Sequence, residues 1–132
     1  MGKGGEKVNR SYAGNTFAMR FYVRGVVYRI ASEDIIYMES LNRQVVVHTT
    51  TGALMVPYAR LCEYLRAGQG IFLQCHRSLI VNLYFIKEIQ IGRRRIVLMD
   101  PWGEIAIGRK YIDTVRQVFD ADGIWRYTVH GR

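Results

Sequence analysis

Two cysteines and three histidines are the side chains of this 132-residue sequence best suited to covalent or metal chemistry, and their spacing supports neither. Cys75 and His76 adjoin as a nucleophile and its base, yet neighbours on a strand point to opposite faces and cannot pair directly. They read instead as a half-buried thiol beside a polar imidazole. A zinc site needs about four ligands, and Cys62, Cys75, His48, His76 and His130 offer no CxxC or HxxxH spacing. Carboxylates are scattered singly, and Glu33-Asp34 falls on an expected turn. No phosphate-cradling GxGxxG or GxxxxGK[ST] is present, since Gly68-Gln69-Gly70 lacks the following lysine and helix. No catalytic residue, cofactor or metal is expected, and the chain reads as a non-enzyme.

Binding chemistry is better represented. Leu41-Asn42-Arg43-Gln44 links two strand-forming runs and sets two amide side chains around a guanidinium. Asn and Gln pair bidentately with adenine and Arg with guanine, so this loop could read base edges; a plain polar hairpin turn is the alternative. In Gln74-Cys75-His76-Arg77-Ser78-Leu79-Ile80-Val81-Asn82, potential phosphate donors at His76, Arg77 and Ser78 precede a strongly apolar anchor. Such an anchor fixes donor geometry and lowers the entropy cost of using them. Arg77 reads as functional, whereas Ser78 and Asn82 equally fit a structural role in satisfying backbone groups. Gly108-Arg109-Lys110 stands before a helix, where free N–H groups and cations suit a phosphate. Arg93-Arg94-Arg95 reads as a solvated hairpin turn, with phosphate contact as the alternative.

These segments need elements to hold them. Apolar residues make up 49% and charged residues 23%, which excludes disordered and collagen-like classes, and the length suits one domain. No apolar run approaches a membrane span or a signal peptide. Two cysteines are too few for a disulfide scaffold, so a cytoplasmic location is expected. The net charge is +8, with 19 basic against 11 acidic residues and +4 on each half, so any basic surface must be assembled by folding. Arginine outnumbers lysine 15 to 4, a bias toward the planar fork that reads phosphates and guanine.

Short β-prone runs broken by turn residues dominate: 19–24, 26–31, 35–39, 45–49, 54–56, 71–74, 86–91, 95–99 and 105–107. Val45-Val46-Val47 favours a strand buried on both faces or one lying under a loop. Pro101-Trp102-Gly103 is a hairpin turn. Tyr58, Leu61, Cys62 and Leu65 recur at helical spacing after Pro57, with Gly68 as a left-handed stop. A second helix begins near Lys110, with Tyr111, Ile112, Val115, Val118 and Phe119 on its apolar face and Asp113, Arg116 and Gln117 opposite. Phe21, Tyr37, Phe72 and Phe85 fit the core better than stacking platforms. The expectation is a mainly β (α+β) domain.

Taken in order, Asp34-Ile35-Ile36-Tyr37-Met38-Glu39-Ser40, Val45-Val46-Val47-His48-Thr49, Leu61 to Leu65, the block 72–82, Ile86 with Ile89, Ile96-Val97-Leu98, Gly103 and Ile105-Ala106-Ile107-Gly108-Arg109-Lys110-Tyr111 form a recognisable series. The sequence resembles the LytTR-type DNA-binding domain of bacterial transcription regulators over about residues 19–119. The block at 72–82 is its most specific part. That resemblance implies an elongated arrangement of about ten strands in three sheets with two short flanking helices. It further implies loops that enter successive major grooves of duplex DNA, and homodimers that bind paired repeats and bend them. Carried over by position, Arg43 is the leading base contact with Asn42 and Gln44 as helpers. Arg77, the position after the matched histidine His76, then faces DNA, Ser78 touches phosphate, and Arg109 and Lys110 supply the third contact. Two departures stand out: Gly108 replaces the family's usual serine, and the loop at 40–44 is short.

Residues 1–18 read as a disordered leader and 120–132 as a C-terminal extension in which Trp125 and Tyr127 form a strand or a protein contact. Members commonly carry a receiver domain or membrane segment ahead of this part, so the sequence reads as a standalone regulator or an excised fragment. The expected function is a response regulator-like transcription regulator acting on double-stranded DNA, without membrane attachment. The rivals are a single-stranded nucleic-acid (RNA or ssDNA) binder and a protein-interaction module. Cys75, near basic residues, is a candidate redox-sensitive thiol.

Overall fold

The computed structural model describes residues 17–68 and 70–120. Residues 1–16 and 121–132, including Trp125, Tyr127 and His130, lie outside the described residues, as does the side chain of Phe119. Ten strands form three antiparallel sheets. Strands β1 (Ala18–Val23) and β2 (Val26–Ala31) make a hairpin. Strands β3 (Ile35–Leu41), β4 (Gln44–Thr49), β5 (Gly52–Pro57), β6 (Phe72–His76) and β7 (Leu79–Asn82) form a five-stranded sheet in the order β5-β4-β3-β7-β6. Strands β8 (Ile86–Gln90), β9 (Arg95–Leu98) and β10 (Glu104–Ala106) form the third sheet. Helix α1 (Leu61–Ala67) precedes β6, and α2 (Ile112–Asp120) follows β10.

The five-stranded sheet separates two hydrophobic cores. Ile35, Phe72 and Ile80 pack on one side with Met19 and Phe21 of the β1–β2 hairpin and Leu61 of α1. Their immediate neighbours Ile36, Leu73 and Val81 pack on the other side with Ile86, Ile96 and Leu98 of the third sheet and Val115 of α2. Successive side chains on a strand alternate faces, so burial on both sides demands unbroken apolar runs. Val45, Val46 and Val47, all buried, meet that demand as expected. Each such side chain contributes roughly 1.5–3 kcal/mol through removal from water.

Several expectations need correction. The apolar anchor Leu79-Ile80-Val81 is, together with Asn82, strand β7, which pairs with both β3 and β6. Its four residues are too few to show a strand period, and only the pairing on both sides reveals them. Pro57 ends β5 instead of opening a helix, because α1 starts at Leu61. Tyr58 lies in the intervening turn, with φ 59°, and is exposed. Gly68 closes α1 in a right-handed conformation at φ −73°, so it is no left-handed stop. Its role is steric: a Cβ there would run into the Phe72 ring. Phe17 and Ala18, assigned to the leader, belong to the fold, since the Phe17 N–H donates to Ser32 Oγ at 3.1 Å and Ala18 opens β1.

Asn82 is fully buried and joins three elements. Its amide nitrogen donates to the carbonyls of Ser32 (3.1 Å) and Ile35 (2.8 Å), and its oxygen accepts the Tyr84 N–H at 2.9 Å. Of the two roles considered for this residue, the geometry is that of the structural one. Replacing Asn82 with Leu removes three buried hydrogen bonds, to the Ile35 carbonyl, the Tyr84 N–H and the Ser32 carbonyl, which keeps only the Ile35 N–H. Each buried group left short of a partner costs about 1–3 kcal/mol. Asn82→Leu is expected to lose about 3 kcal/mol or more in urea unfolding. Unchanged stability would refute this role.

Cys75 is also buried, whereas Cys62 is exposed. Burial pushes the Cys75 thiol up from 9.0 to about 12, so it carries almost no thiolate at neutral pH and lacks the chemistry of a redox sensor. Its redox candidacy therefore fails for lack of both access and ionisation. The unfolded chain ionises this thiol from about pH 9 while the folded chain retains the proton until about 12. Stability is thus retained below pH 9 and falls as pH rises through that window. Urea midpoints measured from pH 8 to 11 should decline less steeply in Cys75→Ala than in the parent chain; parallel declines would contradict the assignment.

Candidate nucleic-acid interface

Strand register determines where the polar loops lie. The turn joining β3 to β4 is only Asn42-Arg43, with Leu41 paired to Gln44. Both residues have positive φ, 53° and 63°, as a type I′ turn requires. Strand β7 runs antiparallel to β3 with Leu79 opposite Glu39. That register places the β6–β7 turn, Arg77-Ser78, at the same end of the sheet as Asn42-Arg43. The Ser40 N–H donates to the Ser78 carbonyl at 2.9 Å and joins the two hairpins there. Their axes are two strand spacings, about 10 Å, apart.

The third segment is held to the second. The Gly108 N–H donates to the Cys75 carbonyl at 2.8 Å, so Arg109 and Lys110 emerge beside His76 and Arg77, and these five residues with Tyr111 line one shallow concavity. Gly108 permits this approach: a Cβ there would sit 3.2 Å from the Tyr111 ring and 3.4 Å from that of His76. A short 3-10 turn, Arg109–Tyr111, then leads into α2, slightly later than the expected start near Lys110.

All eight residues singled out from the sequence thus lie at one end of the molecule. Asn42, Arg43, Arg77, Arg109 and Lys110 are exposed, while Gln44, His76 and Ser78 are half-buried. His76 and Ser78 hold their turn together. His76 Nδ1 accepts the Ser78 backbone N–H at 3.1 Å and lies 3.1 Å from Ser78 Oγ. Because a backbone N–H can only donate, the neutral imidazole keeps its proton on Nε2, where it remains a donor. Arg77, at the tip of that turn, has no such internal task.

Charge is segregated around this end. Ion pairs among the described residues are Lys87–Asp100 and the pairs of Arg93 and Arg95 with Glu104, Glu39 is hydrogen-bonded to His48 Nε2 at 2.8 Å, and none of these includes Arg43, Arg77, Arg109 or Lys110. Asp34 lies at the opposite end of β3, where its carbonyl accepts the Thr50 N–H. The arginine triplet splits by role: Arg93 and Arg95 reach Glu104 at 3.9 and 3.4 Å, whereas Arg94 is exposed with φ 54°. The Arg94 carbonyl accepts the Ile107 N–H at 2.9 Å, which places that turn next to Arg109. Tertiary structure alone creates this proximity, and no local sequence signal announces it.

Left-handed backbone costs a residue with a Cβ about 1 kcal/mol. Five described non-glycine residues accept it: Arg24, Asn42, Arg43, Tyr58 and Arg94. The first four line one further concavity at the same end, together with Tyr22 and Gln44. Sequence reasoning missed Arg24, Tyr22 and Tyr58. The signal for Arg24 is the Arg-Gly pair between two alternating apolar runs, the mark of a two-residue hairpin; Tyr58 was absorbed into a helix that begins later. Of the aromatics expected in the core, Phe21, Phe72 and Phe85 are buried, and Tyr37 is half-buried with its ring stacked on His48 at 4.2 Å.

No helix among the described residues is long and apolar enough to cross a membrane. Among them, no group of three or more His, Cys, Asp or Glu could hold a metal ion. No curated protein matches the chain. Among solved structures, the chain is similar to the LytTr DNA-binding domain of a Bacillus cereus response regulator, at 21% identity and a TM-score of 0.63, over 76% of this chain and 94% of that one. That likeness shows a shared fold: mostly β, three sheets and two short helices. The sequence profile of the family described as the LytTr DNA-binding domain matches residues 25–120. The chain belongs to the LytTR family of DNA-binding domains.

Proposed function

We propose that this chain is a sequence-specific transcription regulator that reads the major groove of duplex DNA with loops borne on the end of its five-stranded sheet. The observation that carries this reading is the convergence of three segments distant in sequence, around residues 43, 77 and 109, at one end where no ion pair among the described residues takes up Arg43, Arg77, Arg109 or Lys110. Arg43 and Arg77 take base edges as bidentate donors, with Asn42 and Gln44 as helpers to Arg43. His76, Ser78, Arg109 and Lys110 engage phosphates and the flanking groove edge, and most of the affinity comes from neutralising phosphate. The DNA-binding domain is taken as residues 17–120, wider at both ends than the expected 19–119, acting in a bacterial cytoplasm and binding paired repeats as a homodimer. No step of this function needs chemistry at the site.

The exposed rings of Tyr22 and Tyr58 supply the one argument for single-strand binding, since exposed aromatics stack unpaired bases. A competition gel shift with duplex, single-stranded and RNA probes separates the readings: duplex should compete best, and preferred capture of single strands would overturn the proposal.

Arg43 gives the sharper test, because its charge and its backbone conformation pull in opposite directions. Arg43→Ala should lose about 1–3 kcal/mol on a selected site and relax selectivity there. Arg43→Asn suits the left-handed turn better and should raise stability by up to about 1 kcal/mol in urea unfolding while losing the same selectivity. By contrast, Arg94→Ala should weaken all sequences alike. Site preference unchanged in both Arg43 variants would remove the residue from the reading surface.

A further inference from the structure

The β1–β2 hairpin carries a basic tip that none of the three segments above requires. Val23 pairs with Val26, so the turn is Arg24-Gly25 alone, with φ 50° and 83°. That is a second type I′ turn, and its first position favours Asn, Asp or Gly over arginine. The turn thus keeps a guanidinium where another residue would fold more easily. Arg24 shares its concavity with Arg43, and no carboxylate lines it. The Tyr58 N–H donates to the Arg43 carbonyl at 2.8 Å, which locks the wall between them. Tyr22 is 64% and Tyr58 83% exposed, an unusual degree for large rings and one that leaves two flat apolar faces with hydroxyl donors beside two cations. Four of the five described non-glycine residues with left-handed backbone gather here. Strain of this kind persists where surrounding structure enforces it, and it concentrates at ligand clamps.

We infer that the tip of the β1–β2 hairpin is a fourth DNA contact, in which Arg24 grips the sugar–phosphate backbone bordering the groove that Arg43 enters. The Tyr22 and Tyr58 rings pack against deoxyribose, and their hydroxyls donate to the neighbouring phosphates. A guanidinium fork matches two phosphate oxygens, and a contact to backbone alone adds affinity without sequence preference. The inference rests on the duplex-binding reading above and adds an element that begins outside residues 25–120, the segment matched by the family profile.

The test uses the whole chain and fluorescence anisotropy with a selected duplex and an unrelated duplex across a salt series. Arg24→Asn preserves the turn, so folding is not at stake, and thermal melting confirms it. Both duplexes should bind about three- to tenfold more weakly to this variant, and the slope of log affinity against log salt should shrink by about one. Arg24→Lys keeps the charge and should retain most of the slope. Hydroxyl-radical protection of sugars beside the Arg43 site should fade in Arg24→Asn and in the Tyr22→Ser, Tyr58→Ser double variant. Unchanged affinity and slope in Arg24→Asn, with Arg43→Ala still losing selectivity, would overturn the fourth contact and leave the proposed function standing. A loss confined to single-stranded probes would overturn it as well, and failure of the parent chain to bind any duplex would overturn both.

Discussion

The antiparallel pairing of β3 with β7 is the constraint on which the rest depends. Glu39 opposite Leu79, reinforced by the bond from Ser40 to Ser78, brings two hairpins of separate sequence origin to one end of one sheet. A slip of one residue in that register would turn every side chain of β7 to the wrong core, exchanging Ile80 and Val81 between the two hydrophobic layers. Burial on both faces therefore enforces the register, and the register in turn aligns Arg43 with Arg77. Asn82, at the far end of β7, secures the strand to the turn before β3 through the carbonyls of Ser32 and Ile35. A polar side chain in the centre of the protein thus helps position exposed cations that it never touches.

The opposite ends of the sheet differ in kind. Where Asp34 precedes β3, ordinary turns and backbone bonds close the structure. Both ends have two-residue reversals, but Thr50-Thr51 beside Asp34 has no positive φ, whereas at the other end Arg24 and Arg43 adopt conformations that glycine or asparagine take more readily. Short turns hold the backbone on rigid strands, so binding costs the arginines side-chain freedom but little backbone freedom. The chain accepts a small loss of stability from these turns, together with repulsion among unpaired cations, and an anionic partner relieves the repulsion.

Much of this was legible in the sequence, for identifiable reasons. Nine of the ten strands lie in runs of β-branched and aromatic residues bounded by Gly, Pro or acidic turns, and both helices show an apolar stripe. Strand β7 was missed because four residues, Leu79 to Asn82, are too few to show a period and lie in a block whose polar neighbours draw attention to chemistry. The helix boundary at Pro57 was misplaced because proline suits a first helical turn and a strand end equally well, and only the pairing of Gln44 with Pro57 decides between them. The eight candidate residues stand out by their chemistry and by resemblance. Their common location does not, since it follows from sheet order. Arg24 and Tyr58 escaped notice for the same reason: nothing local distinguishes an arginine at a hairpin tip beside Arg43 from one beside solvent.

The most direct test of the account is an amide chemical-shift titration of the isotope-labelled chain with a duplex carrying its selected site. Perturbations should concentrate at residues 24–25, 42–44, 76–78, 94 and 108–110, forming one contiguous end of the molecule. Shifts centred instead on helix α1, on the turn at 32–34 or on the flat of the third sheet would contradict it, because no single duplex could then meet the aligned loops.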